Sequence, residues 1–574
     1  MIKVPSGTQE LIGFAGQLIE QCRVSVGMRS AYYRTLNAIS ETGRYDGTKS
    51  LINMMFWHLD RTASHLFSPV QLKFSVGFER IYPKFELDRA AVAARALTKT
   101  WERNGIDTTF GRGVFESLKY GAAILKQWPA EEGKSEKPVY YDKLVMPWQF
   151  GVYREDENRL DRQEALCETV TLTLPEVWQR IHDMPGAEKL FERIATHAKQ
   201  GEASSEPTSF FHQVLSTSQL NTGVQGMTRP VPGGIVQLNN DPNYSIMGPV
   251  LAVPVVQMHE LWVKDEVDYT TIQFIEPDII IEPKHKRRNL LGLERQHPYT
   301  LIQPNEVTNW FWGRSELVDL IEPQALLSTW CDDARRLFGL QVDKILAFIG
   351  EAGMTDELYA QFRGAGFTNL GQGSDVKDLT PSMPPEMMQY LKFAMEIINT
   401  LGSFPEIMQG KGESGVRAGT HANTLLKTGS PTLRDRSLLV ERQCAQAGDL
   451  TLSLMEAKDE SFYWLKADDP IKDTEETKFL LAQMPDDWHV EVDSHSSSPI
   501  FMDENAQLIL QSQHAGIVTP EYVLDNMPFP NRDIAKTQLR EKETKAAAMQ
   551  QKLLQQFPEV GHDLAKKQLT GSKR

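Results

Sequence analysis

The sequence predicts an α+β fold that is mainly helical. Two stretches, 138–170 and 255–303, contain short runs in which apolar and polar residues alternate, a pattern typical of strands. Most of the rest, including the greater part of the chain after residue 315, repeats apolar residues at helical spacing. With 574 residues and 41% hydrophobic composition, the chain is long enough to bury a large core in more than one domain.

The first half of the chain predicts helices that precede and separate the strands. In chain order we expect an amphipathic helix over 50–67, a strand over 71–78, helices over 88–104 and 107–128, the first group of strands, and a helix over about 174–199. The stretch 200–250 is rich in Ser, Thr, Gly, Asn and Pro and has little periodicity, which indicates a loop-rich insertion.

After the second group of strands, the periodicity predicts a largely helical half. Ser315 follows Gly313 and can cap a helix, with the Glu316 carboxylate near its N-terminus, and Pro323 is expected to end that short helix and open a longer one. The expected helices lie at about 315–348, 384–402, 430–457 and 503–512, with a polar helix near 531–556.

Composition and charge exclude several classes of protein. The net charge of −15 disfavours tight nucleic-acid binding, because phosphate contacts need Lys and Arg, although DNA could still slide past an acidic surface. The four cysteines have no paired spacing, which indicates a reducing compartment such as the bacterial cytoplasm. We see no secretory signal and no apolar run near the roughly 20 residues of a membrane span, so no membrane partner is expected.

A search for catalytic motifs finds no phosphate-binding loop, no HExxH motif, no EF-hand and no GxSxG elbow. The segment 277–284 places Asp278 and Glu282 in the order found in metal-dependent nucleases. On one strand these carboxylates would lie about 13 Å apart, too far to share an ion. A sheet strand with Ile279 and Ile281 facing the core is the better interpretation, and we expect no catalytic residue, cofactor or metal.

The stretch 297–427 has the most informative order of elements. An extended segment ends at Gly313, Arg314 and Ser315, and a long helix, a Gly-rich stretch, a second helix and the glycine-punctuated stretch 409–427 follow. Within that last stretch lies the run from Ser414 and Gly415 to Ala418. This order resembles that of portal proteins, the head-to-tail connectors of tailed double-stranded-DNA bacteriophages.

The resemblance implies a portal fold with wing, stem, clip and crown, assembled as a ring. Pro323 departs from the continuous stem helix of the family. The implied regions are a wing over 1–312 containing the 200–250 insertion, a first stem helix over 313–343, a clip over 344–383, a second stem helix over 384–405, a tunnel loop and helix over 406–428, a returning wing segment over 429–500, and a crown with the C-terminal tail over 501–574.

The resemblance also implies a function without covalent chemistry. Portal subunits form a ring, typically of twelve, at one capsid vertex, and double-stranded DNA passes through its channel without sequence preference during packaging and ejection. The implied partners are further copies of the chain, the terminase large subunit, the major capsid or scaffold protein, and head-tail adaptor or tail proteins. The implied location is the virion, after assembly in the host bacterial cytoplasm.

By the same resemblance, the channel constriction is expected at 409–427. Lys411, Arg417 and Lys427 are candidates for contact with DNA phosphates, and a role as ordinary solvated bases is equally open. The glycines that would let the loop bend and shift are Gly410, Gly412, Gly415 and Gly419. Two other functions stay open for the whole chain: a different virion structural or scaffold protein, and a phage nuclease.

Overall fold

The computed structural model shows a mixed α+β protein whose contacts divide it into two units, Met1–Asp493 and Ser494–Arg574. The residues that the structure describes are 3–5, 7–45, 49–129, 140–198, 255–265, 268–275, 278–281, 291, 293, 296–342, 346–349, 375–382, 386–402, 431–457, 461–465, 476–480, 483–485, 487–492, 502–520, 523–524, and 535, 538, 539, 541, 542, 544 and 545.

Helices occur along the whole described chain. They are α1 (Thr8–Thr42), α2 (Met54–Leu66), α3 (Lys84–Asn104), α4 (Ile106–Tyr120), α5 (Leu174–Ile181), α6 (Ala187–His197), α7 (Ile321–Val342), α8 (Met387–Leu401), α9 (Pro431–Ala457) and α10 (Met502–His514). The last of these, α10, belongs to the second unit and the others to the first.

The strands all belong to the first unit. They are β1 (Phe74–Phe78), β2 (Ala123–Pro129), β3 (Tyr140–Val145), β4 (Phe150–Val152), β5 (Ala165–Thr173), β6 (Val255–Lys264), β7 (Tyr269–Ile275), β8 (Ile279–Ile281), β9 (Tyr299–Ile302), β10 (Leu346–Ile349), β11 (Asp375–Asp378), β12 (Ser461–Leu465), β13 (Glu476–Leu480) and β14 (Trp488–Val492). Two larger sheets form, of three and five strands, and β1–β14, β10–β11 and β12–β13 pair separately.

The five-stranded antiparallel sheet, in the order β4-β5-β6-β7-β8, is covered on both faces. On β5, Ala165 and Cys167 point to one face and pack against α1, whereas Leu172 points to the other and packs against α5 and α6. This alternation follows from the two-residue period of a strand, so each face acquires its own apolar core. Ile279 and Ile281 of β8 are buried, which confirms the predicted inward-facing strand.

The three-stranded sheet, in the order β3-β2-β9, is joined to the larger sheet by a buried ion cluster. The ammonium group of Lys126 on β2 lies 2.6 Å from a carboxylate oxygen of Glu168 on β5 and 2.8 Å from one of Glu260 on β6. The Tyr299 hydroxyl donates to Glu168 at 2.9 Å, and Lys143 contacts the same carboxylate at 3.2 Å. The carboxylates would be costly to bury without these partners.

The charges in this cluster hold one another ionised. Burial raises the pKa of Glu168, but Lys126 and Lys143 outweigh burial and hold that pKa below its usual value. Burial lowers the pKa of Lys126, and the two carboxylates reverse that effect and raise it. The cluster is therefore a set of opposite charges. The ionised state of Glu168 and Lys126 depends on the oppositely charged partners staying in place.

The helix α9 connects the three-stranded sheet to the N-terminal helices. The Thr451 hydroxyl accepts the indole N–H of Trp101 on α3 at 2.9 Å and the side-chain amide of Gln127 on β2 at 2.8 Å. A Cβ at Gly448 would lie 3.0 Å from Phe74 on β1 and Val490 on β14, so α9 also approaches the β1–β14 pair closely.

The prediction of one helix over 107–128 was wrong in its second part. The helix α4 ends at Tyr120, and residues 123–128 lie in β2. Gly121 has φ +101°, and a Cβ there would lie 2.6 Å from the carbonyl oxygen of Trp312, so the chain turns where only glycine fits. Ala122 and Ala123 are fully buried, as their small size predicts.

The predicted helix over 174–199 is two helices, α5 and α6. Pro185 disfavours helical backbone at the preceding residue, and Gly186 has φ +81°, so the chain turns between them. Helix α1 was not predicted. Residues 200–250 and most of 531–556 lie outside the described residues.

The ion cluster predicts unequal effects of two lysine substitutions. Replacing the buried Lys126 with Met leaves Glu168 and Glu260 without their shared cation, so we expect the free energy of unfolding to fall by about 3–5 kcal/mol. The Lys143 side chain is 46% exposed, so Lys143→Met should cost less than about 1 kcal/mol. Urea unfolding followed by tryptophan fluorescence measures both, and equal losses would contradict this account of the cluster.

Candidate functional site

The two helices predicted to flank a clip pack together as an arm. We define the arm as α7, β10, β11 and α8. The rings of Trp330 on α7 and Tyr390 on α8 lie 5.5 Å apart, and β10 pairs with β11 in antiparallel register, from Leu346 opposite Asp378 to Ile349 opposite Asp375. The chain therefore leaves along α7 and returns along α8, and residues 350–374 between the strands lie outside the described residues.

Gly313 lies at the start of the arm, where two stretches of backbone come close together. Its φ is +63°, and a Cβ there would lie 2.7 Å from the carbonyl oxygen of Gly121 and 2.8 Å from that of Asn305. Only glycine can adopt this backbone and leave this space. The sequence placed the start of the first stem helix at Gly313 and Ser315, whereas the helix α7 begins at Ile321.

Ser315 caps a turn and not the helix α7 itself. Its hydroxyl donates to the Lys119 carbonyl oxygen at 2.6 Å and accepts the Leu317 N–H at 3.1 Å. Residues 316–320 form the turn and α7 begins at Ile321, so Pro323 lies in the first helical turn, where it needs no intrahelical hydrogen bond. The expected short helix before Pro323 is this turn.

The Glu316 carboxylate lies at a junction between three parts of the first unit. It accepts hydrogen bonds from the Asn305 amide at 2.9 Å and from Arg436 on α9 at 2.9 Å, and its other oxygen lies 3.3 Å from Nε2 of His58 on α2. Although burial raises the pKa of Glu316, the hydrogen bond with His58 and the charge of Arg436 outweigh it and hold the pKa at about 2. We call these four side chains the Glu316 junction.

The returning end of the arm reaches the same junction. A Cβ at Gly402, directly after α8, would lie 2.6 Å from the His58 ring, so the backbone is in close contact with the imidazole. The same histidine thus contacts Glu316, before the arm, and Gly402, after it. Both ends of the arm are held at one place on α2.

A second set of polar contacts, which we call the clasp, lies between residues 43–53 and α7. The Gln324 amide donates to the Ile52 carbonyl oxygen at 2.8 Å, and the Ser328 and Ser50 hydroxyls lie 2.9 Å apart. Arg44 forms an ion pair with Asp332 on α7. The first three turns of α7 are therefore fixed to the chain that follows α1.

The arm exposes large apolar side chains to solvent. Phe338 on α7 is 52% exposed, and Tyr390 and Phe393 on α8 are 54% and 55% exposed. The other exposed apolar side chains of the arm are Leu326, Leu379, Met388 and Leu401. Such a group of exposed apolar residues on one element is typical of a protein interface. The arm is the candidate functional site of the chain.

Sequence reasoning missed most of the residues that fix the arm. The partner of His58, Glu316, lies 258 residues further along the chain, so no local pattern links the two. No local sequence pattern around Asn305, Gln324 or Arg436 indicated that they fix the arm. Lys411, Arg417 and Lys427, with Gly410, Gly412, Gly415 and Gly419, lie outside the described residues. Asp278, considered for a nuclease site, forms an ion pair with Arg193 at 3.5 Å.

Metal and membrane sites were searched over the described part of the chain. It contains no group of three or more His, Cys, Asp or Glu side chains placed to hold a metal ion. Among the helices it includes, none is both long and apolar enough to cross a bilayer.

Comparisons with known proteins give structural similarities but no matching family. No model of a known family matches the chain, and a search of curated proteins gives no significant match. One similar solved structure is a chain of the "Virion of native gene transfer agent (GTA) particle", with a TM-score of 0.37 and 12% identity over 88% of this chain and 94% of that one. A similarity of this size does not show a shared fold, and no functional conclusion follows from it.

The close approach at Gly313 predicts a sharp cost for a single methyl group. We expect Gly313→Ala to lower the free energy of unfolding by about 2–4 kcal/mol, because the backbone is left-handed and two carbonyl oxygens block the Cβ. Gly105 also has positive φ but nothing within 4 Å of its Cβ position, so Gly105→Ala is the matched control, with a cost of about 1 kcal/mol. Urea unfolding checks both, and equal costs would show that the packing at Gly313 is unimportant.

The Glu316 junction predicts a stability contribution that disappears in acid. The folded-state pKa of about 2 is below the ordinary 4.5, so the carboxylate stabilises the fold above pH 4.5, and this contribution is lost as pH falls towards 2. At pH 7 the free energy of unfolding of the wild-type protein should exceed that of the Glu316→Gln variant by about 3 kcal/mol, and this difference should shrink below pH 4.5.

Urea midpoints at pH 3, 5 and 7 measure this difference. Glu322→Gln is the control, because Glu322 is an exposed carboxylate on the same arm whose contact is the Tyr45 hydroxyl at 3.1 Å. A Glu316→Gln deficit that stayed constant between pH 7 and pH 3 would refute the ionic role of the junction.

Proposed function

We propose that this chain is a portal subunit, which assembles with identical copies into a ring of about twelve at one capsid vertex. The observation that carries the proposal is the arm, a helix–strand–strand–helix unit with exposed apolar side chains on both helices. In a closed ring each subunit presents one surface to a different surface of its neighbour. The exposed apolar side chains on both helices of the arm suit such a contact.

The attachment of the arm supports the same proposal. An interface between copies needs an element whose position is fixed before assembly, because ordering it during assembly would cost conformational entropy. The Glu316 junction holds both ends of the arm, and the clasp holds the first turns of α7. The apolar surface beyond them is thus presented in one orientation.

The channel of the proposed ring would carry duplex DNA without sequence preference. A net charge of −15 disfavours tight phosphate binding and suits a wall along which DNA moves. We propose the segment 409–427 as the constriction, where Lys411, Arg417 and Lys427, repeated around the ring, would form weak contacts with phosphates. Weak contacts to phosphates give no sequence readout, which suits a passage for a whole genome.

The proposed ring performs no covalent chemistry and acts as a docking platform. We propose that the terminase large subunit binds the clip at 344–383 and supplies the enzymatic activities of packaging. Adaptor or tail proteins would bind the same end afterwards, and the major capsid or scaffold protein would surround the ring in the virion. The pairing of β10 with β11 supports the proposal, because these two strands of the arm lie within that region.

Assembly should depend on the apolar side chains of the arm. The double variant Phe338→Ser and Phe393→Ser removes two large apolar contacts, each worth about 1.5–3 kcal/mol when buried, and the loss recurs at every interface. We expect wild-type protein to sediment as a large closed oligomer and the double variant as smaller species, measured by sedimentation velocity at matched concentrations.

The control for this experiment is Ile81→Ser, which removes a fully exposed apolar side chain outside the arm. It should sediment as wild type does. If the arm variant assembled as well as the control, with both folded by circular dichroism, the arm would not be the interface. A wild-type protein that stayed monomeric would contradict the proposed function itself.

A further inference from the structure

Two of the four cysteines come together in the core between α1 and the five-stranded sheet. Cys22 on α1 and Cys167 on β5 belong to the same apolar cluster and are 2% and 0% exposed. Both are free thiols in the structure. Because they lie far apart in the chain, no spacing pattern in the sequence marks them as a pair.

The absence of a side chain at Gly151 lets α1 lie close to Cys167. Gly151 on β4 is directly opposite Cys167 in the ladder of β4 and β5, and opposite residues direct their Cβ positions to the same face, about 4.5–5.5 Å apart. A Cβ at Gly151 would overlap the Cys22 carbonyl oxygen and would lie 3.2 Å from the Cys22 Cβ. Cys22 therefore occupies the space that Gly151 leaves beside Cys167.

The ionisation of the two thiols reflects the same proximity. Burial raises the pKa of Cys22, and Cys167 raises it further, because two neighbouring thiolates would repel each other. Burial also raises the pKa of Cys167, to about 12. In the described chain, no second cysteine contributes to the raised pKa of Cys331 or of Cys444. Cys22 and Cys167 are therefore the pair that is placed to react together.

Both thiols are protected while α1 covers the sheet. The thiolate is the form that attacks a disulfide, and the raised pKa values of Cys22 and Cys167 leave little thiolate at neutral pH. Since both side chains are buried, α1 must part from the sheet before an oxidant reaches them. This movement carries Cys22 into solvent, whereas Cys167 stays within its strand.

We propose that Cys22 and Cys167 form a dithiol site, which oxidises to a disulfide when the chain passes from a reducing compartment to an oxidising medium and then fastens α1 to the five-stranded sheet. A disulfide joins Cβ atoms roughly 3.5–4.5 Å apart, and both Cβ atoms lie within about 5.5 Å of the Gly151 Cβ position, so a small shift of α1 suffices. The site lies outside the arm and does not depend on the ring proposed above.

The oxidant in this reaction is a small disulfide. The Cys22 thiolate attacks one of its sulfurs and releases one thiolate, which leaves a mixed disulfide on Cys22. The Cys167 thiolate then attacks the Cys22 sulfur and releases the second thiolate. The two protein thiols lose two electrons and two protons in total, and the small disulfide gains them as two small thiols.

Peptide mapping of the oxidised protein tests the pairing directly. Full-length protein is treated with hydroxyethyl disulfide under native conditions, blocked with N-ethylmaleimide in denaturant, and digested with trypsin without reductant. Cleavage after lysine and arginine places Cys22 in peptide 4–23 and Cys167 in peptide 163–180. Mass spectrometry should find these two peptides joined, in protein that migrates as a single chain in non-reducing electrophoresis. Their recovery unjoined, or joined to another cysteine, would overturn the proposal.

Thermal unfolding distinguishes a bond that fits the native fold from one formed in unfolded protein. The bond closes a long loop and constrains the unfolded chain, so oxidised wild-type protein should unfold at least about 3 °C above the same protein after reduction. Cys22→Ala and Cys167→Ala should each abolish this difference, whereas the control Cys331→Ala should keep it. An oxidised wild-type protein that unfolded at the same or a lower temperature would contradict the proposed native pairing, and this comparison needs no variant.

Hydrogen exchange measures whether the bond fastens α1. The amides of α1 around Cys22 exchange when the helix parts from the sheet, so they should exchange at least about tenfold more slowly in oxidised wild-type protein than in reduced protein. The amides of α10, which lies in the second unit, should exchange equally in both. Unchanged exchange in α1 of protein with the mapped bond would refute the fastening of the helix.

Discussion

The buried carboxylate of Glu316 is the contact on which the arrangement of the arm depends. A carboxylate that is 8% exposed needs partners, and it finds them on α2, on the loop at Asn305 and on α9. Gly402 brings the end of α8 against the same His58 ring. These parts are far apart in sequence, and the junction brings them together. The arm is therefore fixed at both of its ends. Together with the clasp, this attachment gives the apolar surface of the arm a defined direction.

The sequence predicted the parts of the fold that follow from local pattern. The alternating runs in 255–303 form strands, and Ile279 and Ile281 are buried. A strand that packs on a core must either alternate apolar and polar residues or be apolar throughout, so its sequence pattern is recognisable. The boundary at Gly121 was missed, since the residues after it suit helix and strand equally and tertiary packing against Trp312 decided between them. Helix α1 was missed as well. Its apolar residues serve several different surfaces, so it shows little of the one-sided stripe that marks an amphipathic helix.

The candidate site was only partly predictable. The order of helix, Gly-rich stretch and helix located the arm, but its first helix begins at Ile321 and not at Gly313 or Ser315. The residues that hold the arm, His58 with Glu316 and Arg436, lie too far apart for any spacing rule, because their contact exists only in the folded chain.

The central claim is that identical copies of this chain close into a hollow ring through their arms. Electron micrographs of purified wild-type protein, combined with the mass of the particles, test that claim most directly. The account predicts top views with a central opening wide enough for duplex DNA and a particle mass that is a whole multiple of the 65.0 kDa chain, near twelve copies. Particles without an opening, or a single-chain mass at the highest attainable concentration, would contradict it.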